Sequence, residues 1–86
     1  MELLKKARKA GYLYMRQGLL GQFKKYLAVI SGDYLYLFNS PQDIQPLDYY
    51  YIRDSTMEYT EIVNGLYVFL IRNQYTEVHV AWAKQS

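Results

Sequence analysis

Few side chains in this 86-residue chain could do covalent chemistry, and their spacing limits them further. His79 is the only histidine. It sits in the apolar run Val78–Val80 and reads as an ordinary strand residue, neither a base nor a metal ligand. Cysteine is absent, which excludes disulfides and thiolate metal sites. A zinc site would need His79 plus several carboxylates, and none has suitable local spacing. Glu58 and Glu61 stand three apart in an extended stretch, so period-two alternation puts them on opposite faces. No glycine-rich phosphate loop precedes a helix. Tyr49-Tyr50-Tyr51 offers rings for base stacking, but alternation divides the three between two faces, and nucleic acid is not expected as a partner. The pattern implies no cofactor, no metal and no catalysis.

What remains is charge. Residues 1–32 hold seven cations against one anion, Glu2, whereas residues 33–86 hold three cations against seven anions. If the cations converge, the domain has a positive pole that suits a phosphate-rich partner; the plainer reading is a set of solvated faces. Lys9, Arg16, Lys24 and Lys25 are the candidate lipid- or anion-binding residues. Between them, Gly18-Leu19-Leu20-Gly21 places two leucines in a loop. Leu19 and Leu20 could form an apolar tip that enters a membrane interface, or they could fold back onto the core.

The elements that position these groups are mostly strands. The central stretch is Phe23–Phe38, two runs rich in Tyr, Leu, Val and Ile around Ser31-Gly32-Asp33, where glycine supplies the positive φ of a tight turn. Before it, residues 11–17 read as a first strand, with Leu13 and Met15 on one face and Tyr12, Tyr14 and Arg16 on the other. Pro41 and Pro46 make residues 39–47 a loop. Strands follow at 48–53, 56–63, 66–72 and 75–83, and Asn64-Gly65 is a strong signal for a type I′ hairpin. Residues 2–9 could form a short helix with Leu3, Leu4 and Ala7 on one side, packed on the domain or anchored at a membrane. No apolar run approaches the roughly 20 residues of a membrane span. Residues 1–86 therefore read as one small β-domain: a basic leader, 1–9, and a β-barrel or sandwich from 10 onward. The lack of cysteine makes a reducing, cytoplasmic compartment the simpler expectation.

The order of motifs resembles a pleckstrin homology (PH) domain. Gly11-Tyr12-Leu13, Phe23-Lys24-Lys25, the strand Tyr26–Ile30, Gly32-Asp33, the aromatic strand Tyr34–Phe38 and then Ser40-Pro41-Gln42-Asp43 follow that family's opening in sequence. The resemblance implies a seven-stranded antiparallel bent barrel of two near-orthogonal sheets, ordinarily closed by a C-terminal helix. Here the chain stops at about the end of strand seven, and Trp82 lies within that strand. The helix could lie farther along a longer chain, come from another segment, or be replaced by residues 2–9. The family's phosphoinositide-binding positions fall on Met15, Lys24 and Tyr26, and only Lys24 is basic. The implied function is non-catalytic: peripheral targeting of a parent protein to anionic phospholipid headgroups with low affinity. The alternative is a protein-interaction module completed by a partner segment, with self-association through the uncovered barrel end as one form of it.

Overall fold

A computed structural model describes residues 2–16 and 21–83. The chain is mainly β. A single helical turn, α1 (Glu2–Lys5), precedes β1 (Lys9–Arg16), β2 (Lys24–Ser31), β3 (Tyr34–Phe38), β4 (Asp48–Tyr51), β5 (Thr56–Val63), β6 (Leu66–Arg72) and β7 (Glu77–Ala83). The strands form one antiparallel sheet in the order β4-β3-β2-β1-β7-β6-β5. Two tight turns follow from residue type. Gly32 at φ +59° opens the β2–β3 turn, and Asn64 (φ 50°) and Gly65 (φ 79°) supply both left-handed positions of the β5–β6 turn.

The sheet curls because β1 serves two halves of it. All of β1 up to Met15 pairs with β2, whereas only Tyr14, Met15 and Arg16 pair with β7. The first half of β1 thus diverges from the end of β7. A cavity of about 190 Å³ opens there, lined by Gly11, Leu13, Ala28, Ile30, Leu35 and Trp82 among others.

Curling also brings the two edge strands together at one corner. β4 and β5 are at opposite ends of the strand order, yet only residues 52–55 connect them. Side chains of the β6–β7 turn pin that corner. The Asn73 amide donates to the carbonyls of Tyr51 and Arg53, each at 3.0 Å, and the Thr76 hydroxyl donates to Tyr51 O at 2.7 Å. The result is a half-barrel, fastened at one end of its seam.

Each face of the sheet carries an apolar cluster. The inner face buries Leu13, Met15, Ala28, Leu35, Leu37, Val78 and Val80, flanked by Tyr26, Tyr50, Phe69 and Trp82. The outer face buries Leu27, Val29 and Phe38, against which Leu3, Ala7 and Tyr36 pack. The leader therefore corrects two expectations. Its helix spans one turn instead of residues 2–9, and Leu4 is 37% exposed while Leu3 and Ala7 pack. It also covers the outer face, so residues 2–9 do not close the inner one. The reason is local: Arg8 N–H donates to Ile30 O at 2.8 Å, which turns the chain onto β2 directly from β1.

Candidate interaction surfaces

The cations singled out from sequence do not form one cluster. Lys24 and Lys25 are both exposed at the start of β2. Lys24 is opposite Met15 and so faces inward, while Lys25 is opposite Tyr14 and faces outward, its ammonium 5.3 Å from the centre of the Tyr12 ring. Arg16, across the hairpin, is largely buried: its side chain is 10% exposed and its guanidinium lies 4.6 Å over the Phe23 ring. Its Nη2 is 4.0 Å from a Glu61 carboxylate oxygen, and its Nε is buried with no hydrogen-bond partner among the described residues. Lys9 is at the opposite end of β1, up to about 23 Å from Arg16 at 3.3 Å per residue. Leu19 and Leu20 lie outside the described residues.

Glu58 and Glu61 depart from the expected alternation. The register shifts between Tyr59 and Glu61, leaving Thr60 as an extra residue in β5. Glu58 is then opposite Leu70 and Glu61 opposite Val68, so both carboxylates share the outer face. They approach Arg72 at 3.9 Å and Arg16 at 4.0 Å respectively. The same bulge turns Met57, Tyr59 and Ile62 inward together. These three are 53%, 54% and 57% exposed, because nothing among the described residues covers this part of the inner face. Tyr59, Phe69 and Trp82 continue across it as edge-to-face rings at 5.7 and 5.6 Å. This uncovered face is bounded by β5, an eight-residue edge strand.

A second aromatic surface forms on the outer face of β3 and β4. Register places Tyr34 opposite Tyr51 and Tyr36 opposite Tyr49, and their rings approach at 5.4 and 6.4 Å. Tyr75, from the β6–β7 turn, joins Tyr51 at 5.7 Å. Tyr49 and Tyr75 are 61% and 74% exposed. Alternation does split Tyr49-Tyr50-Tyr51, with Tyr50 packed on the inner cluster. The neighbouring strand, however, restores the outward set. The signal was the Tyr-x-Tyr spacing repeated in consecutive strands, at 34/36 and 49/51.

His79 is half-buried on β7, opposite Leu70 and Arg16. Among the described residues, no three His, Asp or Glu side chains gather as a metal would require. In the loop after β3, the Asp43 carboxylate accepts from Asn39 N–H at 2.9 Å and from Ser40 N–H and Oγ. The Asn39 bond above all holds its pKa below the ordinary carboxylate value. Among the described residues no helix is long and apolar enough to cross a membrane. Neither a family model nor a curated protein matches the chain.

Proposed function

We propose that this chain is a non-catalytic, PH-like interaction module whose uncovered inner face receives an apolar segment of a protein partner. The observation that carries the reading is the set Met57, Tyr59 and Ile62, each more than half exposed along the β5 edge. Covering three such side chains fully would add roughly 2–5 kcal/mol of apolar burial, at about 1.5–3 kcal/mol per side chain taken from fully exposed to buried. The unpaired edge of β5 adds backbone hydrogen bonding.

The second reading is weak docking on anionic membrane at the periphery of a cytoplasmic compartment, and the exposed pair Lys24 and Lys25 favours it. Those two lysines supply about 2 kcal/mol at roughly 1 kcal/mol per basic residue near the surface. That is small beside the roughly 8 kcal/mol of a micromolar complex. The burial of Arg16 and the remoteness of Lys9 keep the sum low.

Salt separates the two readings, since ionic docking is screened and apolar docking is not. The experiment is affinity capture at low and high salt, in parallel with sedimentation of the protein on phosphatidylserine vesicles. Capture that survives high salt and is lost in the double variant Met57→Lys/Ile62→Lys supports the interaction module. Binding only to vesicles, abolished by Lys24→Glu/Lys25→Glu, would replace it with the membrane reading.

A further inference from the structure

We propose that the outer tyrosine surface is a second docking site, one that recognises a proline-rich segment in the polyproline II conformation flanked by a basic residue. The inference is independent of the inner-face reading, because it uses the opposite side of the sheet. Tyr34, Tyr36, Tyr49, Tyr51 and Tyr75 form a continuous band with ring centres 5.4–6.4 Å apart. The contacts of Tyr34 with Tyr51 and of Tyr51 with Tyr75 are edge-on, at 65° and 72°. Perpendicular rings leave clefts between them where a parallel stack would present one flat plate. A cavity of about 290 Å³ lies between Tyr51 and Tyr75, with Arg53, Asp54, Asn73 and Gln74 completing its wall.

Three observations select the occupant. The first is that the sheet edge beside the band cannot add a strand at this corner. Tyr51 O already accepts from Asn73 and Thr76, and Ile52 N–H donates to Asp33 O at 2.8 Å. A ligand here must be read by side chains. Polyproline II suits that mode, since its carbonyls face outward without internal hydrogen bonds and its rings pack against aromatic walls. Phenol hydroxyls in the band are the donors for those carbonyls.

The second observation is charge. At the corner beside Tyr51, Asp33 and Asp54 stand against two cations, Arg8 and Arg53. Arg53 lies 4.0 Å from Asp33, and the Arg8 guanidinium donates to Gly32 O at 2.8 Å. A single-stranded nucleic acid needs a cationic track beside its stacking rings, and the Tyr51–Tyr75 end of the band has two carboxylates against two cations. The third is the position of Asp54 in the wall of the Tyr51–Tyr75 cavity, where a carboxylate complements an arginine or lysine next to the prolines.

The test is an NMR titration of the labelled chain with an arginine-flanked oligoproline peptide, and separately with single-stranded oligouridine. The expected result is peptide-induced shifts confined to the five tyrosines and their neighbours. Tyr49→Ala and Tyr75→Ala, both at exposed rings, should each weaken binding about tenfold, as truncating an aromatic anchor typically does. Tyr75→Phe, which keeps the ring and loses the hydroxyl, should recover only part of that loss, and an unchanged amide spectrum in each variant shows that folding is intact. Absence of shifts at roughly millimolar peptide would overturn the proposal. So would shifts at the same tyrosines from oligouridine but not from peptide, or peptide shifts confined to the Met57–Ile62 face.

Discussion

Asn73 acts on both sides of its amide. Its carbonyl oxygen accepts from Tyr75 and Thr76 N–H at 2.8 Å each, shaping the β6–β7 turn, while its nitrogen donates to Tyr51 O and Arg53 O across the seam. Asn73→Asp keeps the first pair and removes the second. It should therefore cost about 1–2 kcal/mol, and Asn73→Ala about 2–4 kcal/mol, at roughly 1 kcal/mol per net hydrogen bond. Denaturant midpoints measure the difference; an unchanged midpoint in Asn73→Asp would mean that the seam bonds contribute nothing, and equal losses in the two variants that the turn bonds contribute nothing. Asp43 gives a pH-dependent counterpart. Its native pKa is depressed, so its contribution is present above the ordinary value of 3.8 and is lost as pH falls through the lower native value. The protection of the Asn39 and Ser40 amides, exchange measured against the intrinsic rate at each pH, should fall below about pH 4, and Asp43→Asn should abolish that dependence.

At the level of elements, the leader is the piece whose role can be decided by one comparison. Leu3 and Ala7 cover Leu27, Val29 and Phe38, the last two fully buried. Leu3→Ala should destabilise the fold by about 1–3 kcal/mol through lost burial, read as a lower midpoint with vesicle binding unchanged. A membrane anchor would show the reverse: unchanged stability and weaker vesicle binding. The contrast between leader and hairpins shows what the sequence made legible. Gly32 and Asn64-Gly65 fix two hairpins by backbone necessity, and alternation in Leu13/Met15 and in Tyr49-Tyr50-Tyr51 assigns faces correctly. The bulge at Thr60 left no comparable mark, because an inserted residue needs no special side chain, and it moved Glu61 to the face of Glu58. The side of the sheet chosen by α1 was equally hidden. Both faces of β2 are apolar, with Ala28 on one and Leu27 and Val29 on the other, so periodicity could not choose between them.

For the whole molecule, the decisive property is a sheet of seven strands with two edges and apolar residues on both faces. The outer face is closed over Leu27, Val29 and Phe38 by the leader, whereas the inner one runs out to Met57, Tyr59 and Ile62 at an open edge. Edge strands of this length are templates for pairing unless charge or cover blunts them. The charges of β5, Glu58 and Glu61, are both turned outward by the bulge and leave its inward row unprotected. In isolation the chain should therefore associate with itself as its concentration rises, through the same surface proposed to receive a partner. Met57→Lys/Ile62→Lys places two charges on that row. Since both side chains are already more than half exposed, the double change should alter monomer stability by no more than about 1 kcal/mol. Sedimentation velocity across a concentration series should show association in the native sequence and a monomer in the variant, at every salt concentration. Association that vanishes with salt in the native protein would instead locate the contact in the opposed basic and acidic halves of the chain, whose ionic attraction is screened.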